Sequence, residues 1–160
     1  MLGSLLPGVQ HLQNIHPLVV HFPIAFLMGA ALFYGMSWIL RNNALAGTAF
    51  SLLVVGVVFA GVAVGTGLHA EDGVMVSHSV RENLLEHHER LMLVTFGLSI
   101  GLALWALVAR PFPSKGRPFF LLLFLVLLVV ITFGADYGAR MVYDYNAGGN
   151  ACSQPIEFTK

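Results

Sequence analysis

The sequence predicts an all-α membrane protein, a four-helix bundle that runs up-down-up-down through the bilayer. Three observations predict it. Of 160 residues, 57% are hydrophobic and 10% are charged, whereas charged residues make up about a quarter of an ordinary soluble domain. Four apolar runs, over about 17–40, 44–68, 88–109 and 119–143, match a hydrocarbon core that takes about 20 helical residues to cross. The connections are short, so the whole of 1–160 reads as one membrane domain, with a polar segment over 70–90 and an irregular tail over 146–160.

The first run opens at His16-Pro17-Leu18-Val19-Val20-His21-Phe22-Pro23. Pro17 suits a first helical turn, where its missing N–H costs nothing, while Pro23 falls inside the helix and should bend it. Helical steps from His21 give Ala25, Met28, Leu32 and Gly35 as one face, which is read here as the inner face. Met1 to His16 lacks a basic leader and the following run is of spanning length, so it is expected to be a retained helix and not a cleaved signal. The second run carries Gly56, Ala60, Ala63 and Gly67 on one face, a small-residue stripe suited to close helix packing. In the third, the face from His88 runs through Met92, Thr95, Ser99 and Ala103, polar and small, while the face from His87 is bulky and apolar; His88 should face the bundle. The stretch 80–90 contains no helix breaker and should extend this helix outward. The fourth run ends in Asp136, Tyr137, Gly138 and Arg140, and the four-residue spacing predicts an Asp136–Arg140 ion pair.

Charge orients the bundle. Arg41, Arg110, Lys115 and Arg117 fall at one end, and all eight acids fall at the other. Basic loops face the cytoplasm, so both termini and the connection between the second and third runs are expected outside it, in a bacterial inner membrane. All seven histidines then gather at the extracytoplasmic end. Zero net charge leaves no basic surface for nucleic acid. The single Cys152 excludes an internal disulfide, and there is no Cys-x-x-Cys-His stretch for covalent haem. No nucleophile has a base at meaningful spacing, so a stand-alone hydrolase is not expected.

The stretch His16-Pro17-Leu18-Val19-Val20-His21-Phe22-Pro23-Ile24 resembles the opening motif of small four-span bacterial membrane proteins grouped as domain of unknown function 2231. A histidine at the third span, here His88, and a closing Gly-Gly-x-x-Val-Tyr-like motif, here Gly138-Ala139-Arg140-Met141-Val142-Tyr143, extend the similarity, with Ala139 in place of the second glycine. The resemblance covers Asn14 to Tyr145 and implies a four-helix membrane fold. Some relatives are joined to c-type cytochrome domains, which implies redox company.

Imidazole inside a membrane is costly and points to function. Neutral imidazole binds iron, zinc or copper, and bundle cores recurrently hold cofactors between facing helices. The first expectation is therefore an electron-transfer subunit that binds b-type haem through His21 and His88, with His16 and His69 in reserve, working with quinone or a c-type cytochrome. By depth, His16 matches His88 more easily than His21 does. A zinc or copper site from His16, His69 and His88 with Glu71, Glu86 or Glu89 is a second chemistry. The alternative is a cofactor-free accessory subunit of a larger respiratory or photosynthetic complex, since no catalytic signature stands apart from the histidines. A proton or metal-ion conduit ranks last: few polar residues continue to the cytoplasmic side.

Overall fold

The computed structural model describes residues 14–71, 77–145 and 147. Four helices are long and apolar enough to cross a membrane: α1, His16–Leu40; α2, Asn43–Glu71; α3, His78–Ala109; and α4, Arg117–Tyr145. No strand occurs among the described residues. The N-terminal segment with His11, the 72–76 connection and nearly all of the expected irregular tail, Cys152 included, lie outside them.

Each helix keeps an apolar surface on every side, because a helix loses nothing by exposing Leu, Val or Phe to lipid. Leu32, Val58, Val108 and Leu125 are all exposed. Hydrophobicity therefore does not mark the inner face, and for α1 the expected face is reversed. His21, Ala25, Met28 and Leu32 face outward, whereas Pro23, Leu27, Ala30, Tyr34 and Ser37 are buried. Size and shape select the inner face instead: Leu27 fills space against Gly56 of α2, and Tyr34 fills space against the aromatic rings of α4 and the α3–α4 loop. On α2 the expected stripe packs as read, with Gly56, Ala60 and Ala63 buried.

At the end that carries Arg41, Arg110 and Arg117 the bundle is dense. The Tyr34 side chain is fully enclosed, its ring centroid 5.0–5.4 Å from those of Phe112, Phe120 and Phe124. Its hydroxyl donates to the Pro111 carbonyl at 3.0 Å. Trp105 closes on Phe120 at 5.4 Å, so α1, α3, α4 and the α3–α4 loop meet in one aromatic knot. Arg41 and Arg110 terminate α1 and α3 in left-handed conformation, φ 52° and 51°; each N–H bonds back to a helix carbonyl, of Ser37 and Ala106.

At the other end α3 extends beyond the apolar run, as its sequence predicts, beginning after Ser77, whose hydroxyl accepts from the Val80 N–H. One feature is unexpected: residues 81–85 wind as a π-helix. Wider winding keeps Val80 and Leu84, four apart, turned toward α4, where they pack with Met141 and Ala147. Nothing in Arg81-Glu82-Asn83-Leu84-Leu85 announces this. Arg81 ties the extension to α2, donating to Glu71 Oε1 at 2.7 Å.

Close packing of α1 on α2 rests on Gly56, where an added Cβ would lie 2.8 Å from Leu27 Cδ2 and 3.4 Å from its backbone nitrogen. Gly56→Ala should therefore destabilise the bundle by about 1–3 kcal/mol. Gly47→Ala, with no atom within 4 Å of the new Cβ, should be neutral or stabilise by up to about 1 kcal/mol through helix propensity. Unfolding titrations in mixed micelles would compare them, and equal effects would contradict this packing.

Candidate functional site

Toward the histidine end the four helices enclose a cavity of about 390 Å³, with walls from all of them, Pro17 and Leu27 from α1, Ala63 from α2, Met92 from α3 and Ile131 from α4 among them. This is within the range of small-molecule sites. Two imidazoles reach it from opposite sides. His16 starts α1, where its own N–H is held by the Asn14 side-chain oxygen at 3.0 Å and Pro17 sets the first turn. His88 stands on α3, three residues past the π turn. The ring centroids are 6.3 Å apart and the planes meet at 84°.

Each ring is fixed through Nδ1. The His88 Nδ1 lies 2.7 Å from the Gly134 carbonyl, which can only accept, so His88 Nδ1 carries the proton. The His16 Nδ1 lies 3.1 Å from Thr66 Oγ1. That hydroxyl has one proton, and its helix carbonyls, Val62 O at 3.0 Å and Ala63 O at 3.1 Å, can only accept it. With that proton on either carbonyl, Thr66 Oγ1 accepts from His16 Nδ1–H. In both neutral rings this leaves Nε2 as the unprotonated nitrogen with a free lone pair, the tautomer a metal ligand needs.

Glycines seat both rings. A Cβ at Gly67 would lie 3.0 Å from His16 Cε1, and one at Gly138 would lie 3.0 Å from His88 Cε1 and 3.2 Å from its Nδ1. At Gly134 it would run into the Met92 side chain. A side chain at 67 or 138 requires the imidazole to give by a few tenths of an ångström. The Gly138 of the C-terminal motif is thus the floor under His88.

The remaining expected residues are placed differently. His21 is exposed and is also among the residues lining the cavity; the ring set against His88 is that of His16. His69 is exposed at the end of α2. Among the described residues no group of three or more His, Cys, Asp or Glu side chains could hold a metal ion, so the cluster of His16, His69 and His88 with Glu71, Glu86 or Glu89 is not assembled. His87 points away from the interior and stacks on Tyr137, centroids 5.6 Å apart. His78 sits at 3.1 Å from Glu82 on the surface. The Asp136–Arg140 pair does not form. Arg140 turns outward to Asp144, 3.9 Å away, one turn nearer the helix end, where a guanidinium keeps its hydration.

Sequence reasoning missed Thr66 and Gly134, because both act through groups that residue type does not advertise: a hydroxyl used as acceptor and a backbone carbonyl. In histidine-labelled, ligand-free protein in micelles, nitrogen–proton correlation spectra should show both rings as the Nδ1–H tautomer. Thr66→Val should move His16 toward the Nε2–H form and leave His88 unchanged. Predominantly Nε2–H rings in the unsubstituted protein would contradict the geometry.

No curated protein and no solved structure matches the chain. A family model described as predicted membrane protein (DUF2231) matches residues 12–151, a stretch that holds all four helices, both imidazoles and both glycine seats. By that match the chain belongs to the DUF2231 family of predicted membrane proteins.

Proposed function

We propose that this chain is a membrane electron-transfer subunit that holds a b-type haem between His16 and His88. The observation that carries the reading is the pair of opposed imidazoles with Nδ1 engaged and Nε2 free. Two protein ligands are too few for a structural zinc site, which takes four. They suit a metal that a macrocycle already surrounds, which His16 and His88 would hold by their free nitrogens. The ring centroids stand 6.3 Å apart.

The surroundings fit such a group. Leu27, Ala63 and Ile131 give dry walls, and the glycine seats leave the rings no freedom to collapse onto the helices. When bound, haem iron carries one electron at a time between its ferrous and ferric states. The chain's own residues do the rest: His16 and His88 ligate, Thr66 and the Gly134 carbonyl fix ring orientation and raise imidazole basicity, and the cavity wall excludes water.

The proposed setting is a bacterial inner membrane with the histidine end outside the cytoplasm. Arg41, Arg110, Lys115 and Arg117 at the opposite end support that orientation. A site at this depth is within reach of a quinone in the bilayer and of a c-type cytochrome docking from outside, the two partners proposed for it.

Purified in mild detergent from cells able to make haem, the protein should show a Soret band and a reduced-minus-oxidised alpha band. His16→Ala and His88→Ala should each abolish the alpha band or convert the spectrum to a high-spin form, whereas His21→Ala and His69→Ala should leave it. Gly67→Ala and Gly138→Ala should lower haem affinity by about 10-fold or more, as loss of ligand support does, and Gly65→Ala, with nothing near its Cβ, should not. Absence of a Soret band would reject the proposal and favour the cofactor-free accessory subunit.

A further inference from the structure

Thr95 lies on the wall of the same cavity, seven residues past His88 and so about 10 Å deeper at about 1.5 Å per residue. The residue is 5% exposed, and its hydroxyl, sealed from solvent, has no hydrogen-bond partner among the described residues. This singles it out. Every other serine and threonine hydroxyl within the four helices is engaged: Thr48, Ser51, Thr66, Ser99 and Thr132 each donate to a carbonyl of their own helix, Ser37 donates to the Asn42 carbonyl, and Ser79 bonds Ser77. The ordinary fate of a membrane threonine is to bond its own preceding turn, and Thr95 forgoes it.

A bare hydroxyl in such surroundings is costly unless an acceptor reaches it. An isolated water does not answer the need, since a buried water takes two to four polar partners and the neighbouring cavity residues Leu27, Met92 and Ile131 offer apolar side chains. Rotation about χ1 carries a threonine hydroxyl to the position its methyl held, and Thr95 is one of the residues lining the cavity.

We propose that Thr95 is the inner anchor of the cavity's ligand, its hydroxyl donating a hydrogen bond to a carbonyl oxygen that the ligand carries into the bundle. The head group of a membrane quinone brings such a carbonyl to this depth, entering beside a b-type haem, which itself carries no formyl. The inference rests on the cavity being a ligand site and not on iron being present.

The test uses the full chain purified with its native ligand, as unsubstituted protein, Thr95→Val and Thr95→Ser. Lipid extract analysed for quinone identifies the carbonyl source, and the pyridine haemochrome reports haem separately. The quinone carbonyl stretch, read by infrared difference, should rise in frequency in Thr95→Val, where the hydrogen bond is lost, and return in Thr95→Ser. Ligand-free Thr95→Val should melt no lower than ligand-free unsubstituted protein, because the hydroxyl has no bond to lose there. A ligand without a carbonyl, an unshifted band in Thr95→Val, or destabilisation confined to the ligand-free state would each overturn the assignment. A Soret band with no ligand carbonyl defeats this inference and leaves the haem reading standing. A Thr95-dependent quinone carbonyl with no Soret band does the reverse.

Discussion

The bond from His88 Nδ1 to the Gly134 carbonyl is the contact on which the rest of the site depends. It crosses from α3 to α4 at 2.7 Å, where Gly138 leaves α4 without a side chain beside the ring and Gly134 leaves room for the Met92 side chain one turn further along α3. It settles the tautomer as well as the position of His88. With that ring fixed, His16 faces it at 6.3 Å, and the Thr66 hydroxyl repeats the same device from α2. A hydrogen bond of this kind is worth little net in water, but in a low-dielectric setting the alternative is an unsatisfied donor.

Packing along the bundle is uneven in a way that serves this arrangement. The arginine end is closed by Tyr34, Phe112, Phe120 and Phe124 around the α3–α4 loop, and the α1–α2 seam is drawn tight at Gly56. Rigidity there lets the histidine end stay open without the helices sliding together. The π turn at 81–85 belongs to the same design: it keeps Val80 and Leu84 docked on α4 while the helix goes on to present His88 inward. Such turns occur often beside functional positions.

Composition and run length made the architecture legible before any coordinates: four helices, their order, the outward extension of α3 and the histidines gathered at one end. Charge asymmetry and small-residue spacing on α2 were legible for the same reason, since each is a local property of the chain. The inner face of α1 was not. In a soluble helix the apolar stripe marks the core, but a helix in lipid is apolar all round, so the stripe through His21 read as inward when Leu27 and Tyr34 in fact fill the interior. Depth along the helices makes His16 the better match for His88, and the structure places those two rings together. Thr66 and Gly134 stayed hidden because the work is done by an acceptor lone pair and a main-chain oxygen. The choice of Asp144 over Asp136 by Arg140 turned on hydration at a helix end, which spacing alone does not encode.

The near-perpendicular rings provide the most direct test of the central claim that His16 and His88 flank one iron. On an iron held by both rings, imidazole planes set 84° apart would leave the two d-orbitals that they perturb almost equal in energy. Electron paramagnetic resonance of the oxidised, frozen protein should then give a low-spin ferric signal of the strongly anisotropic type, dominated by one large-g feature. A high-spin signal, a rhombic low-spin signal typical of parallel imidazole planes, or no ferric haem signal at all would contradict it.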